Sequence, residues 1–380
     1  MPRLSPVQRL LRELVARPSI NPTFLEDRPD LTGEERVAGF LEDLARAEGI
    51  EVSRQSVLPG RKNLIARLKP VGKIRSRVML TPHLDVVPAP EKDFTPRVRN
   101  GKMYGRGTCD TKGSVAAFFS AFLDLARKKG NRPKETEILF VGLVDEEFGQ
   151  AGSRTLAQKG PKGDLAIAGE PTGLQVVTAH KGNLWLQLKT KGKSAHGSTP
   201  HHGKNAIRAI TPILDFLFND YPEFLASKTH PLLGSPSVSV GKIRGGSQPN
   251  VVPDGCIIDL DRRTIPGETE ASVKKELTQA FKVRGISLPE FSKSRSVPCL
   301  PLDTDPDLPF CQSFLRAANR RKPKGVPYFT DASPIATGGT PSLVFGPGNI
   351  AQAHSTDEWV EVEQVDRAYS IVSKFLNSLP

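Results

Sequence analysis

The chain has 380 residues, 37% of them hydrophobic and 25% charged, with a formal net charge of +12. This length exceeds what one simple core supports and favours about two domains. No apolar stretch approaches the roughly 18 residues that cross a bilayer, so we expect no membrane partner. The basic residues are scattered, which indicates a basic surface compatible with acidic small molecules and no nucleic-acid partner.

The four cysteines lie far apart, and none forms a C-x-x-C pair. This spacing argues against a disulfide framework and a zinc ribbon. Near the amino terminus, Arg9, Arg12 and Glu13 interrupt the leucines at helical spacing, which favours an amphipathic helix over a signal peptide. We therefore expect a cytoplasmic protein.

The first half of the chain alternates helical and strand patterns. "GEERVAGFLEDLARAEG" has the spacing of a helix, and "NLIARL" and "SRVMLTPHLDVVP" have the composition of strands. A small-residue helix, "GSVAAFFSAFLDLARKK", precedes the strand "TEILFVGLVDEE", which is apolar on both faces. Such strands between helices predict an α/β fold with helices on both faces of a mixed, mostly parallel sheet.

The pattern changes near residue 181. "NLWLQLKTKGKSAHG" alternates with period two, as in an antiparallel strand with one solvated face. A helix at 205–218, the strands "PSVSVGKI" and "CIIDLDRRT" and a helix at "EASVKKELTQAFKVRG" follow. This order predicts a small α+β, ferredoxin-like unit.

The domain layout is therefore discontinuous. We predict an inserted domain at residues 181–293, with the first domain formed by residues 1–180 and 294–380. In the latter part, "SFLRAANRRK" is predicted as helix and "PSLVFGPG" as strand.

Five segments that carry histidine or acidic residues fall where predicted strands end. The carboxyl ends of strands in an open α/β sheet face the binding crevice, so distant residues can converge there. A lone histidine or carboxylate at such a place is usually a satisfied polar group or a cap. In combination these residue types match a pair of divalent metals, because imidazole suits zinc and carboxylates can bridge. The residues are His83, Asp85, Asp110, Glu146, Glu147, Glu170 and His354.

His83 and Asp85 are two residues apart, so in a strand their side chains share a face. Asp85 is then placed to accept a hydrogen bond from the second ring nitrogen of His83 and to fix its tautomer. The alternative is coincidence in a turn that ends at Pro88.

Five motifs occur in an order that resembles a known family: "H-x-D-V-V-P", "G-R-G-T-C-D-T-K-G", "D-E-E-F-G", "G-E-P-T" and "A-H-S-T-D-E". The chain is similar to the acetylornithine deacetylase, succinyl-diaminopimelate desuccinylase and aminoacylase family of dinuclear zinc amidohydrolases and peptidases. The resemblance covers nearly the whole chain, and it implies a metal-dependent hydrolase of C–N bonds.

The resemblance also implies a ligand set. His83 and Glu170 would hold one metal, Glu147 and His354 the other, and Asp110 would bridge them. The cofactors would be two divalent ions, zinc first, with cobalt and manganese as alternatives.

The same resemblance implies a mechanism. Glu146 would be the general base that takes a proton from a metal-bridging water, and the hydroxide would attack the amide carbonyl. Asp85 would orient His83. Asp145 has no assigned role beyond a supporting or turn residue.

The inserted unit resembles the family's lid and dimerisation domain, which implies a homodimer. His196 in "K-S-A-H-G-S" would stabilise the oxyanion across the dimer, although without the resemblance it would be interpreted as an exposed loop histidine. Arg263, three residues before Pro266, would bind the substrate carboxylate, and Asn250 is a further substrate-binding candidate.

Two further assignments concern neighbouring positions. Arg262 would point to the opposite strand face from Arg263 and be structural or solvated. Gly339 lies in the glycine-rich loop 338–340, whose backbone N–H groups would meet the substrate carboxylate.

Within the family, "G-R-G-T-C-D-T-K-G" and "G-E-P-T-G-L-Q-V-V-T-A-H-K-G" look most like acetylornithine deacetylases. This implies hydrolysis of an N-acyl amino acid, with N-acetylornithine first, to ornithine and acetate. A succinyl-diaminopimelate desuccinylase, or a metallo-carboxypeptidase or dipeptidase acting on a short peptide, remains an alternative. A non-catalytic binding protein on the same fold is the alternative from another class.

Overall fold

The computed structural model describes residues 4–128, 132–293, 297 and 299–380. The chain divides into two compact units. The first comprises residues 1–178, 304–324 and 330–380, and the second comprises residues 179–303 and 325–329. That the second unit is a lid and dimerisation domain stays a prediction.

The described residues form ten α-helices in chain order: α1 Pro6–Val15, α2 Glu35–Ala47, α3 Lys112–Arg127, α4 Ala151–Lys159, α5 Ala206–Phe218, α6 Asp220–Ala226, α7 Glu270–Val283, α8 Pro309–Ala317, α9 Ala332–Thr337 and α10 Val362–Leu376.

The strands are β1 Glu51–Leu58, β2 Arg61–Leu68, β3 Ser76–Pro82, β4 Arg97–Arg99, β5 Lys102–Tyr104, β6 Thr136–Gly142, β7 Leu165–Gly169, β8 Val177–His180, β9 Gly182–Lys191, β10 Ser237–Gly245, β11 Gly255–Thr264, β12 Glu290–Lys293, β13 Leu302–Asp303, β14 Lys324–Val326, β15 Ser342–Phe345 and β16 Trp359–Glu361.

The first unit is built on a mixed sheet with the order β1-β2-β6-β3-β7-β15-β8. Strands β6, β3, β7 and β15 run parallel to one another in its middle. Strands β1 and β2 are antiparallel at one side, and β8 is antiparallel to β15. The parallel strands direct their carboxyl ends to the same edge, where a site can form.

Strand β6 shows why this sheet is covered on both faces. Its side chains alternate, so Ile138 and Phe140 join a core that also contains residues of α1, α2, α3, α8 and α10. Leu139 and Val141 join the opposite core with Leu156 of α4. A strand buried on both faces needs a continuous apolar sequence, and the predicted fold class is confirmed.

The second unit contains an antiparallel sheet with the order β10-β11-β9-β12. Leu184, Leu186 and Leu188 of β9 alternate inward and pack with side chains of α5, α6 and α7. Trp185, between them in sequence, is 43% exposed on the other face. The period-two pattern therefore reports a sheet with helices on one face.

One predicted helix lies several residues earlier in the structure. The prediction for 313–322 was wrong at both ends, because α8 begins at Pro309 and ends at Ala317. Proline has no backbone N–H, and the first position of a helix has no intrahelical partner for one, so proline is favoured there. Asn319 adopts φ 53°, a left-handed conformation that terminates the helix. Of the predicted helix at 113–129, Lys129 lies outside the described residues.

In the part of the chain that the structure describes, no helix combines the length and apolar character that crossing a bilayer requires.

The core assignment predicts the effect of Phe140→Ala. The ring is fully buried and lies 4.9 Å from the Phe119 ring, centroid to centroid. We expect a loss of about 3–5 kcal/mol in the free energy of unfolding, from lost burial and the cavity left behind. Urea unfolding measures it, with Val71→Ala as control because Val71 is 73% exposed. Equal stability of the two variants would contradict the core assignment.

Candidate metal centre

Four of the five candidate ligands lie in loops that follow parallel strands, and Asp110 lies in the loop between β5 and α3. His83 directly follows β3, Glu170 directly follows β7, and Glu147 lies in the loop after β6. Asp110 precedes α3, and His354 precedes β16 with a left-handed φ of 59°. Parallel strands thus bring together residues that are up to 271 positions apart, counting from His83 to His354 (354 − 83).

Two groups of potential metal ligands form at this edge. One contains His83, Asp110 and Glu170, and the other contains Asp110, Glu147 and His354; within each group the ligand atoms lie within 4.8 Å of one another. Asp110 belongs to both. Its Oδ1 is 3.1 Å from His83 Nε2 and its Oδ2 is 3.3 Å from His354 Nε2. A carboxylate with one oxygen toward each group can bridge two cations.

The remaining contacts and one orphaned atom also fit a cation. Glu170 Oε1 is 3.9 Å from His83 Nε2, and Glu147 Oε2 is 3.1 Å from His354 Nε2. Glu147 Oε1 is buried and has no hydrogen-bond partner among the described residues. Buried polar atoms are nearly always partnered. The nitrogen and oxygen donors are those that zinc and related divalent ions accept.

The electrostatics of the site point the same way. Burial, reinforced by the charge of Asp110, raises the pKa of Glu147 to about 7. Burial and the charge of Asp110 also raise the pKa of Glu170. Burial and the charge of Glu170 raise the pKa of Glu146. A positive ion would remove this penalty, because it favours the ionised carboxylates.

The two histidines are electrostatically tied to Asp110. Burial alone would raise the pKa of Asp110, but hydrogen bonds from His354 and His83 lower it. Hydrogen bonds to Asp110 and Glu147 raise the pKa of His354 to about 10. Burial by itself would lower the pKa of His83, but hydrogen bonds to Asp110 and Asp85 raise this pKa well above its ordinary value.

Glu146 belongs to neither ligand group, although its carboxyl feels the charges of Glu170 and His83. Its side chain is buried, and its backbone N–H donates to Asp85 Oδ1 at 3.1 Å. Glu146 is thus a buried carboxyl group beside the candidate ligands that belongs to neither group.

Asp85 contacts His83 through both its main chain and its carboxylate. His83 Nδ1 is 3.0 Å from the Asp85 backbone oxygen and 3.6 Å from its carboxylate Oδ1. The nearer partner of the ring is thus the main-chain carbonyl, and the carboxylate lies slightly farther away. It accepts the N–H groups of Glu146 and Glu147, both at 3.1 Å. Asp85 holds the loop of the two glutamates as well as the His83 ring.

Asp145, which the sequence left unassigned, anchors that loop from the other side. Its carboxylate is 2.9 Å from Arg61 Nη1 and accepts a hydrogen bond from Asn21 Nδ2 at 3.0 Å. Arg61 also forms an ion pair with the buried Glu34. Asp145 is a structural ion-pair residue with a left-handed φ of 69°.

Two buried acids near the site were missed by sequence reasoning. Asp331 accepts a 2.5 Å hydrogen bond from Ser153 Oγ, and burial raises its pKa to about 7. It lies in "F-T-D-A-S-P", where no spacing marked it. Glu358 binds the segment that carries Asp110. It is the last acid of "A-H-S-T-D-E", so the motif contained it without indicating its contacts.

The second unit carries three of the predicted site residues. His196 is exposed, and its Nδ1 accepts the Ser198 backbone N–H at 3.1 Å. The neutral ring therefore carries its proton on Nε2. Asn250 is also exposed, and its backbone carbonyl accepts the N–H of Gly197, the neighbour of His196, at 2.7 Å.

The two adjacent arginines differ as expected for opposite strand faces. Arg263 pairs with Asp261 through Nε at 2.9 Å and Nη2 at 3.1 Å. Arg262 is fully buried and pairs with Glu268 at 2.7 Å. Of the two predictions for Arg262, structural or solvated, its burial and ion pair favour the structural one.

The glycine-rich loop does not offer the donors expected of it. The N–H of Gly339 donates to Ala336 O at 2.9 Å, and the N–H of Gly338 donates to Pro334 O at 3.0 Å. Thr340 likewise donates to Ile335 O. These groups close the carboxyl end of α9, where helices need donors for their last carbonyls. We therefore do not carry Gly339 forward as a substrate-binding residue.

The sequence model of peptidase family M20/M25/M40 matches residues 79–378. The chain belongs to this family. It is therefore a hydrolase that acts on amide bonds, and the resemblance inferred from the motifs is confirmed. Among its family relatives, an acetylornithine deacetylase of Vibrio cholerae serotype O1 is 31% identical over 358 residues, which cover 90% of this chain and 91% of that protein.

Solved structures support the same fold for this M20/M25/M40 member. A tripeptidase from Staphylococcus aureus superposes with a TM-score of 0.77 at 22% identity, covering 98% of this chain and 97% of that one. A dinuclear metal binding peptidase of the M20 family from Bacillus subtilis has a TM-score of 0.70 at 16% identity, with 98% and 96% covered.

The anchor of the glutamate loop predicts the effect of Arg61→Gln. The change leaves the buried carboxylates of Glu34 and Asp145 without their cation, so we expect a loss of about 3–5 kcal/mol in the free energy of unfolding. Urea unfolding measures it. The control is Arg28→Gln, because Arg28 is paired with Asp30 but 44% exposed. A loss no larger than in the control would show that the network does not stabilise the loop.

Proposed function

We propose that the chain hydrolyses N-acyl amino acids with two divalent metal ions, and that N-acetylornithine is its first candidate substrate. The observation that carries this proposal is the pair of ligand groups that share Asp110, with Glu146 outside both. The relative named acetylornithine deacetylase, 31% identical across 90% of this chain, supports the choice of substrate.

His83 and Glu170 would hold one ion, Glu147 and His354 the other, and Asp110 both. Zinc is the first choice, with cobalt and manganese as alternatives, since imidazole and carboxylate ligands suit all three. When bound, such ions polarise a carbonyl and lower the pKa of water.

The chain's own residues would move the protons. Glu146 would accept a proton from the attacking water and deliver it to the leaving amine. Asp85 would keep Glu146 in place through its backbone N–H and hold the His83 ring through the carbonyl contact. The buried ion pair of Asp145 with Arg61 would fix the same loop.

Three residues of the second unit keep the roles that the family resemblance implies. His196, with its proton on Nε2, would donate a hydrogen bond to the developing oxyanion. Arg263 would exchange Asp261 for the substrate carboxylate, and Asn250 would assist. We propose that the second unit also forms a homodimer, as the family resemblance implies, and that His196 acts across it.

The remaining assignments are also proposals. Free cysteines, all four of them buried, suit a reducing cytoplasm.

Desuccinylase, carboxypeptidase and dipeptidase activities use the same ligand groups, so they are alternatives within the chemistry. A non-catalytic binding protein would not need an uncoordinated acid such as Glu146 beside two complete ligand groups.

A hydrolysis panel tests the substrate class. The purified chain should release free amino acid from N-acetylornithine faster than from N-succinyl-diaminopimelate, other N-acyl amino acids or dipeptides. Removing metal with a chelator should abolish hydrolysis, and adding zinc or cobalt should restore it, because the carboxylate groups alone cannot polarise the carbonyl. Full activity of the metal-free protein would refute the proposal, and preference for another panel member would reassign the substrate.

Two matched variants separate the base from a ligand. Glu146→Gln should still bind two ions per chain but lose about 10²–10⁴-fold in kcat, because an amide cannot accept the proton. Glu147→Gln should lose metal content as well as activity, since Glu147 belongs to a ligand group. Metal analysis and steady-state kinetics measure both. A near-normal rate for Glu146→Gln would assign the base elsewhere.

A further inference from the structure

Glu358 is a buried acid to which the proposed mechanism gives no role. It lies four residues after His354 and immediately before β16, and it is 3% exposed. Its carboxylate accepts four hydrogen bonds, and all four donors belong to the segment 106–110 that carries Asp110.

The four contacts use both carboxylate oxygens. Oε1 accepts the backbone N–H of Cys109 at 2.8 Å and that of Asp110 at 2.9 Å. Oε2 accepts the backbone N–H of Gly107 at 3.0 Å and Nη1 of Arg106 at 2.7 Å. Hydrogen bonds to an ionised acceptor are roughly twice as strong as neutral ones, so this set fixes the turn firmly.

Other bonds join the same two segments. Arg106 Nη2 donates to the carbonyl of Ser355, the neighbour of His354, at 3.2 Å. Cys109 Sγ donates to Asn349 O at 3.3 Å. The Asp110 segment is therefore tied to the His354 segment on both sides of the histidine, and Glu358 supplies most of the bonds.

We propose that Glu358 is a positioning residue that sets the placement of Asp110 relative to His354. It thereby tunes the cation affinity of the ligand group Asp110, Glu147 and His354, and this inference rests on the proposed function. Groups behind the metal ligands commonly change metal affinity 10- to 100-fold when they are replaced. Glu358 acts on Asp110 by accepting the hydrogen bond from the Asp110 backbone N–H.

The test uses Glu358→Gln in the full-length chain. Glutamine keeps the size of the side chain, but its amide group is a donor and faces donors in either orientation, so two of the four hydrogen bonds are lost. The matched control is Glu137→Gln. Glu137 is also fully buried and ion-paired, with Arg67 and Arg77, but it lies near the start of β6, at the opposite end of that strand from the site.

Two readouts are compared. Hydrogen exchange of the metal-free proteins should be faster in Glu358→Gln for the peptide covering residues 106–111 and unchanged there in the control. Zinc affinity, measured by competition with a chromophoric chelator, should fall 10- to 100-fold in Glu358→Gln and stay at the wild-type value in Glu137→Gln.

Zinc affinity and exchange in Glu358→Gln equal to those of the control would overturn the inference. A wild-type chain that binds none of zinc, cobalt and manganese would instead refute the proposed function, and the inference would fail with it. If Glu358→Gln does not fold, Arg106→Gln replaces it. That variant removes the bonds of Arg106 to Glu358 and Ser355 and should weaken zinc binding severalfold; unchanged affinity would then overturn the inference.

Discussion

Repulsion among buried carboxylates is the constraint on which the site depends. Asp110, Glu146, Glu147 and Glu170 meet at one edge of the sheet, and burial raises the pKa of the three glutamates. The two histidines reach Asp110, but they leave Glu147 Oε1 without a partner among the described residues. Positive charge from two cations would relieve the repulsion and convert the destabilised cluster into a set of ligands.

The surrounding structure holds these groups together with further buried acids. Asp85 accepts the N–H groups of Glu146 and Glu147, and Glu358 accepts those of the Asp110 segment. Asp145 is neutralised by Arg61. The backbone N–H groups of a loop at a strand end need hydrogen-bond acceptors. A buried carboxylate can accept several of these hydrogen bonds at once and so hold the loop in place. This edge of the sheet thus contains two sets of acids, one that forms the candidate ligand groups and one that holds the loops.

Much of this arrangement could be predicted from the sequence, because it depends on local pattern. The first seven residues of the apolar stretch "TEILFVGLVDEE" form β6, and the acids in the loop after it lie near His83 and Glu170. Strand β1 was missed, because "EVSRQSVL" is polar along most of its length and lies at the edge of the sheet. The contact of His83 with the Asp85 main-chain oxygen could not be predicted, because it depends on where the chain leaves β3. Gly339 was misjudged because the end of α9 uses its N–H. Asp331 was missed because tertiary packing alone brings it to Ser153.

The central claim is that Asp110 joins two cation sites, with Glu146 beside them as a free base. Anomalous X-ray diffraction from crystals of the zinc-loaded protein tests this claim most directly. The account predicts two anomalous peaks per chain, one contacted by His83 and Glu170, the other by Glu147 and His354, with Asp110 on both. It also predicts that Glu146 contacts neither peak. A single peak, no peak, or a peak coordinated by Glu146 would contradict the account.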